Sequence, residues 1–490
     1  MDKELSVNDL KFYPHFDAPL SLSEARRIVT DPASVARNKF YPFMLYYDEW
    51  QPFRTRKGQE RPDKKNRPIR YASRRDAYIL TYYRRILAEK YEAKLEELGI
   101  EECPIAYRRL KKKTGAGKSN IDFAKDAFDE IERQGNCVAV ALDIKGYFEN
   151  LDHGRIKKVW CELLNVGKLP ADHFTVFKNL TRYHVVDQKE VYRRLGYLKH
   201  KIVNGRRREQ FTVPFNEMPE QLCSPSEFRK KICGGDSALP SIVRGNVDDE
   251  GNRLNHGIPQ GAPISDLIAN FYLLDFDVSL ENFAKKNGGV YRRYSDDILL
   301  ILPGAASSAE AAEQYAIAEI QKYGSQLTIK PSKTCIVKFE TTENGLTYQS
   351  LRPGSGRNGF EYLGFRFDGQ KVYIRDTTLS RVYRKIARSA KGVAHGVGKN
   401  PPINVDHFLD EVLYGQFSQR FHRVRSKSNP RDPRERAFSM EDPKTWTFYT
   451  YAKRASEIFG VKGDRILPQL RNARRVMRSR LRAALERAVA

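Results

Sequence analysis

The chain has 490 residues, enough for a sizeable core and for two or three domains. Its 86 lysines and arginines against 61 aspartates and glutamates leave a formal charge of +25, which favours a polyanionic partner and salt-sensitive binding without saying whether that partner is DNA, RNA or an acidic surface. No apolar run approaches the roughly 18 residues of a membrane span, the start Met1-Asp2-Lys3-Glu4-Leu5-Ser6 lacks a secretory pattern, and the six cysteines lack paired zinc-like spacing, so a soluble cytoplasmic protein with reduced thiols and no membrane partner is expected.

Residues 1–60 mix apolar and charged positions without a clean period. The basic stretch from Arg56 to Arg75 leads into a predicted helix from Asp76 to Leu98. There Ile79, Tyr82, Tyr83, Ile86, Leu87 and Tyr91 recur at helical spacing, while Arg84, Arg85 and Lys90 fall largely on the other face. The segment Thr114-Gly115-Ala116-Gly117-Lys118-Ser119 looks like a phosphate-binding loop but fails the pattern: Lys112 stands where the first glycine belongs, and no buried strand precedes it.

From Val138 the chain reads Val-Ala-Val-Ala-Leu-Asp, a buried strand that delivers the carboxylate of Asp143 at its end. Lys189 to Arg208, with Tyr192, Tyr197 and Arg206-Arg207-Arg208 around the turn signal Asn204-Gly205, reads as a basic hairpin-like insertion. His256 to Leu280 begins as a Gly/Pro-rich turn and continues as an apolar helix, and Tyr291 to Leu302 reads as strand, polar turn, strand. Two strand pairs are expected near Leu327 to Phe339 and Phe360 to Ile374, with linkers at Gly354 to Gly359 and Lys391 to Pro402.

The last ninety residues are mostly helical in pattern, interrupted by the polar segment Arg425 to Glu435. Helices are expected over Thr445 to Phe459 and Ile466 to Leu485. In the second, Arg471, Arg475, Arg478 and Arg482 fall on one face, with an apolar stripe of Leu470, Ala473, Met477, Leu481 and Ala484 elsewhere. Such a basic face is usually just solvated; in a protein that grips a nucleic-acid duplex it would meet successive phosphates.

Two segments offer carboxylates beside strongly apolar strands: Leu142-Asp143-Ile144 and Tyr294-Ser295-Asp296-Asp297-Ile298. Neighbours in a regular strand point to opposite faces, so Asp296 and Asp297 converge only if a tight turn lies between the flanking strands. Converging carboxylates can hold magnesium, which takes oxygen ligands and keeps several waters, and two such ions about 3.5–4 Å apart serve nucleotidyl transfer. Taken alone, a Ser-Asp-Asp turn is more often simply solvated.

Resemblance reverses that. Asp143-Ile144-Lys145-Gly146-Tyr147-Phe148-Glu149-Asn150 resembles the first palm motif of reverse transcriptases of the group II intron and retron type. Gly257-Ile258-Pro259-Gln260-Gly261-Ala262-Pro263-Ile264-Ser265 resembles the second, and Tyr294-Ser295-Asp296-Asp297 their YxDD box. Lys330-Pro331-Ser332-Lys333-Thr334 and Tyr362-Leu363-Gly364-Phe365 resemble the next two, in the family's order.

The resemblance implies an α+β right-hand polymerase. An N-terminal extension would span 1–60, fingers 61–137, a palm 138–375 that holds part of the fingers and the insertion at about 186–215, and a helical thumb 376–490. It implies an RNA-directed DNA polymerase with two magnesium ions, manganese being an alternative, held by Asp143, Asp296, Asp297 and the Ile144 carbonyl. Phe148 matches the steric gate against a ribose 2′-OH, Gln260 and Gly261 the turn lining the nascent base pair, and Lys333 a lysine near the pyrophosphate; Phe148 as a core aromatic and Lys333 as an exposed strand lysine remain the plain alternatives. Arg70, Arg108 and Arg109 are the triphosphate clamps the alignment suggests, because guanidinium groups bind phosphate oxygens bidentately. Arg206, Arg207, Arg471, Arg475, Arg478 and Arg482 are the expected nucleic-acid contacts.

Asp266 stands where the family usually has proline, and Ser295 where many relatives have alanine. With the long insertion between Asp143 and Gly257, this looks more like the unknown-group, defence-associated bacterial enzymes than the mobile-intron ones. The implied partners are an RNA template, in the defence reading a non-coding RNA, a DNA product and deoxynucleoside triphosphates; homo-oligomerisation is left open. The rival readings are a retron or intron enzyme, and a catalytically idle RNA-binding protein on the same fold.

Overall fold

The computed structural model describes residues 4–50, 65–203, 206–214, 217–352, 356–397, 409 and 447–489. In chain order the strands are β1 (Phe43–Trp50), β2 (Lys65–Tyr71), β3 (Cys137–Asp143), β4 (His184–Asp187), β5 (Leu198–Val203), β6 (Arg206–Phe211) and β7 (Arg244–Gly245). They continue as β8 (Val290–Tyr294), β9 (Asp297–Pro303), β10 (Cys335–Thr342), β11 (Gly345–Ser350), β12 (Phe360–Tyr362), β13 (Phe365–Phe367) and β14 (Val372–Ile374). With the intervening helices this is the expected α+β class.

The central sheet has the order β11-β10-β3-β9-β8 and is antiparallel throughout. Its middle strands are apolar on both faces because both faces are covered. Val138, Val140 and Leu142 of β3 and Ile298, Leu300 and Leu302 of β9 enter one core, beneath the helices Arg74–Leu98, His153–Leu164, Ser265–Tyr272 and Ala306–Ile320. Their neighbours Cys137, Ala139, Leu299 and Ile301 enter a second core, closed by Asn120–Gln134, Phe448–Phe459 and the small β12-β13-β14 sheet. Period-two alternation thus divides one strand between two cores, and each fully buried leucine there contributes about 1.5–3 kcal/mol.

A second sheet has the order β2-β1-β4-β7. Only β1 and β4 pair in parallel, so the segment around residue 185 completes a sheet begun by residues 43–71. The helix Arg74–Leu98 that follows is capped by Ser73, whose hydroxyl accepts the Asp76 N–H, and stops at Gly99 in the left-handed region (φ 63°). The C-terminal helices Asp376–Val397 and Ala473–Val489 pack through Ile386, Ala390, Met477, Leu481 and Leu485. All six cysteines are free, and among the described residues no helix is long and apolar enough to cross a membrane.

Several sequence expectations are corrected. The strand expected from Leu327 begins only at Cys335, because Pro331-Ser332-Lys333 forms a single 3-10 turn, and its hairpin partner is β11. Phe360 to Ile374 holds three short strands, not a pair. The linker expected from Lys391 is helical to Val397, and residues 398–402 lie outside the described residues, as do residues 56–64 of the basic stretch, the Asn204-Gly205 turn, residues 354–355 of the linker expected from Gly354, and Arg425 to Glu435. The last helix starts at Ala473 rather than Ile466, since Leu467–Leu470 forms a 3-10 turn, so Arg471 precedes the helix carrying Arg475, Arg478 and Arg482.

Candidate active site

Strand pairing brings the two acidic segments together. β3 and β9 run antiparallel with Asp143 directly opposite Asp297, and the Ile144 N–H donates to the Asp296 carbonyl at 3.1 Å. Between β8 and β9 the chain reverses at Ser295, whose φ of 61° is unusual for a residue with a side chain. Adjacent Asp296 and Asp297 therefore leave a tight turn instead of opposite faces of a strand, as the spacing required.

That turn is held from beneath by Arg293, which is wholly buried. Its guanidinium pairs with equally buried Asp277, Nε to Oδ1 at 2.7 Å and Nη2 to Oδ2 at 2.6 Å, and Nη1 donates to the Ser295 carbonyl at 3.0 Å. Tyr291 donates its hydroxyl to the same carboxylate at 2.7 Å. Sequence reading missed this pair; the signal was an arginine two residues from Tyr291, on the same, inward face of a short strand, a position almost never filled without a buried partner.

The carboxylates repel one another. Burial raises the Asp296 pKa, and the Asp143 charge adds to the rise. Asp297, accessible at its tip yet hemmed in by protein, is pushed up to about 7 by desolvation and by the charges of Asp296 and Asp143. Lys333 supplies the compensating cation: its Nζ lies 2.6 and 2.5 Å from the two Asp143 oxygens. The preceding Lys330 N–H donates to the Asp143 carbonyl at 2.8 Å, which fixes the Pro331–Lys333 turn against the strand end. Lys333 is thus exposed, as the plain alternative had it, but it lies in a 3-10 turn rather than a strand and is paired with Asp143.

Among the described residues no three acidic, histidine or cysteine side chains are placed to hold a metal ion by themselves. The donor set is all oxygen and mutually repelling. That chemistry fits a hard divalent cation whose remaining ligands are waters and substrate phosphates.

The Gly257–Ser265 segment closes the site from the side. Ile258 N–H donates to the Phe148 carbonyl at 2.9 Å, Gly257 N–H to Leu151 at 2.9 Å, and the His256 Nδ1 meets the Glu149 carbonyl at 2.8 Å. Phe148 is half-buried, with its ring edge-on to Tyr147. The Gln260 carbonyl accepts the Arg70 N–H at 2.8 Å, and Gly261 (φ 108°) has no room for a Cβ, which would sit 2.8 Å from the Arg70 carbonyl and 2.9 Å from Ile69.

Strand alternation sorts the expected phosphate-binding arginines. Arg67 and Ile69 share one face of β2, and the positive charge of Arg67 reaches Asp296. Arg70 points the other way, its guanidinium over the Tyr183 ring at 5.4 Å with Nε and Nη1 buried and unpartnered. Arg67 is the cation the sequence reading missed. Arg108 is corrected outright: its guanidinium is held by Glu92 at 2.8 and 2.5 Å and by the carbonyls of Pro104 and Glu101, with its side chain 3% exposed. Arg109 is exposed.

Asp266 joins the site indirectly. It grips Arg84, which also donates to the carbonyl of Tyr107. Tyr107 is in the left-handed region (φ 60°), 45% exposed, with its ring 6.2 Å from that of Tyr294 and its hydroxyl within the field of Asp296. Arg475 and Arg482 are exposed and Arg478 half-buried on the flank of the last helix, away from Met477 and Leu481. Arg207 is exposed on β6; the Arg206 side chain lies outside the described residues.

Residues 211–367 match the family model described as reverse transcriptase (RNA-dependent DNA polymerase). Retron Ec86 reverse transcriptase of Escherichia coli is 29% identical over 108 residues, 22% of this chain and 33% of that protein, so the chain matches only about a third of that relative's length. Among solved structures, apo telomerase from Candida Tropicalis is similar with a TM-score of 0.37 and 10% identity, over 72% of this chain and 53% of that one. The RNA-dependent RNA polymerase of a human picorbirnavirus gives 0.29 and 11%, over 63% and 42%. The family match takes in the Gly257–Ser265 segment, the Tyr294–Asp297 turn and Lys333, while Asp143 and Phe148 lie ahead of it.

Proposed function

We propose that this chain is a reverse transcriptase, an RNA-directed DNA polymerase that extends a primer 3′ end with deoxynucleotides. The observation that carries this reading is the register that sets Asp143 opposite Asp297 with Lys333 on Asp143, inside motifs that resemble that family in order. On this reading the β3–β9 sheet is the palm, the β1–β2 sheet and Arg74–Leu98 belong to the fingers, and Asp376–Val397 with Ala473–Val489 form the thumb.

Asp143, Asp296, Asp297 and the Ile144 carbonyl would hold two magnesium ions, or manganese in their place. Bound there, such ions activate the attacking 3′ oxygen and neutralise the leaving one. Lys333, once Asp143 is otherwise compensated, would be placed to act as proton donor to the departing pyrophosphate. Arg67 faces the carboxylates from the fingers side and would meet triphosphate oxygens bidentately. Gly261 would let the backbone lie close to the new base pair, and the Phe148 ring, half-buried edge-on to Tyr147 on a backbone tied to Ile258, would exclude a 2′-OH.

The implied partners are an RNA template, deoxynucleoside triphosphates and the DNA product. A role in anti-phage defence with a non-coding RNA is supported by Asp266, Ser295 and the long insertion, which set the chain apart from the intron enzymes. The retron-type reading is favoured by the Ec86 match instead. Sequencing the nucleic acid that copurifies from cells separates the two.

The central reading is tested by primer extension on an RNA template. Divalent-metal-dependent incorporation of deoxynucleotides is expected, and Asp143→Asn or Asp296→Asn should abolish it while leaving the circular-dichroism spectrum intact. Undiminished synthesis by both variants, or none by the unaltered chain, overturns it.

A further inference from the structure

β5 and β6 form a two-stranded ribbon that joins no other strand among the described residues. Residues directly opposite in an antiparallel pair share a face. One face therefore carries Leu198, His200, Ile202, Arg207, Glu209 and Phe211, and the other Lys199, Lys201, Arg208 and Gln210.

The first face is anchored to the body at its base, while Ile202 and Arg207 toward the tip are exposed. Leu198 is buried, Phe211 meets the Tyr192 ring at 6.0 Å, and Glu209 is held between Lys189 at 2.7 Å and Arg193 at 2.6 Å of the helix Gln188–Arg194. The ribbon's one carboxylate is thereby consumed on the inner side. On the other face Lys199, Lys201, Arg208 and Gln210 are all exposed, and among the described residues none of the three cations has an acidic partner. Lys201 stands directly opposite Arg208, a like-charge pair that costs stability in the free protein. Three unpaired cations on one strip, one pair of them set in mutual repulsion, call for a polyanion; a purely solvated hairpin would gain by alternating the sign.

We propose that the outer face of this ribbon, Lys199, Lys201 and Arg208, binds the phosphate backbone of the RNA template outside the catalytic cleft. The inference rests on the RNA-templated reading, in which RNA is the polyanion present before any product exists. It replaces the pairing of Arg206 with Arg207 expected from sequence: adjacent strand residues face opposite ways, and Arg207, though exposed, lies on the face that carries Glu209. Phosphate contacts position a strand without reading its bases, so the face adds affinity and not sequence preference.

The full chain carrying Lys199→Gln, Lys201→Gln and Arg208→Gln is compared with the unaltered chain and with Arg207→Gln, using one RNA oligonucleotide and its DNA counterpart across a salt series. RNA binding about tenfold weaker in the triple variant is expected, with a log–log salt slope flatter by up to roughly 0.7 per lost contact, while Arg207→Gln leaves both unchanged. The thermal midpoint should stay or rise slightly as the repulsion is removed, which excludes unfolding as the cause. Unaltered RNA affinity and slope in the triple variant overturn the proposal, as does an equal loss in Arg207→Gln, or a loss for DNA alone. Extension of a short saturating primer–template should persist in the triple variant, so absence of polymerase activity in the unaltered chain would sink the function reading while leaving the ribbon's binding measurable.

Discussion

Arg84 holds Asp266 through two donors, Nε to Oδ1 at 3.0 Å and Nη2 to Oδ2 at 2.8 Å, and Nη2 also reaches the Tyr107 carbonyl at 3.1 Å. The neighbouring residues are tied as firmly: the Ile105 N–H donates to the Arg293 carbonyl at 2.9 Å, and Asn270 Nδ2 to the Ala106 carbonyl at 2.7 Å. A non-glycine residue with positive φ persists only where its surroundings over-determine it, and such residues gather at working sites.

Asp266→Ala should therefore release Tyr107 from its place beside Asp296. A stability loss of about 1 kcal/mol is expected, since the pair is bidentate but partly exposed. The Michaelis constant for deoxynucleotide should rise more than turnover falls, and Tyr107→Ala should reproduce the kinetic change without the loss of stability. Steady-state primer extension checks this; an unchanged Michaelis constant in both variants would make the clamp purely structural.

Asp277→Ala leaves the Arg293 guanidinium buried without its counter-charge. The expected cost is about 3–5 kcal/mol, read from the urea midpoint. Replacing both partners by apolar residues, Asp277→Leu with Arg293→Met, should recover most of that stability, because no charge is then desolvated. Incorporation should remain impaired in the double variant, since the Ser295 carbonyl has lost its donor and the turn carrying Asp296 is no longer fixed. Full activity in the double variant would contradict that role.

Phe148→Ala should allow ribonucleotides to compete. The ring is half-buried against Tyr147 and its carbonyl is bonded to Ile258, so its bulk is held in place. The ratio of ribo- to deoxynucleotide use in competition assays is the measurement. An unchanged ratio with reduced stability would mean that the ring serves only the core.

His15 gives the fold an acid sensitivity. It is fully buried, and its Nδ1 accepts the Phe16 N–H at 2.9 Å. Burial first, and then the neighbouring Arg74 charge, lower its pKa from 6.5 to about 3. The unfolded chain takes up the proton first as pH falls, so stability present above about 6.5 is lost progressively toward pH 3, at up to about 1.4 kcal/mol per pH unit for this one proton. His15→Gln should flatten the dependence of the urea midpoint between pH 6.5 and 4.5. Equal slopes in the two chains would rule His15 out as the source.

Local pattern sufficed for much of the site. The apolar run ending at Asp143, the turn at Ser295 and the need for glycine at 261 follow from alternation, turn chemistry and close backbone approach, all of which act over a few residues. The helix expected from Asp76 to Leu98 was legible for the same reason, since its period is local, and it begins only two residues earlier, at Arg74. Which side chains meet across the chain was not legible. The Lys333–Asp143 pair spans 190 positions and the Arg84–Asp266 pair 182; each depends on strand register and helix packing that no short window contains. The same holds for sign and direction: Arg67 rather than Arg70 faces the carboxylates, Arg108 is spent on Glu92, and Arg206 and Arg207 cannot act on one surface, because alternation fixes relative faces while only packing decides which face is turned inward.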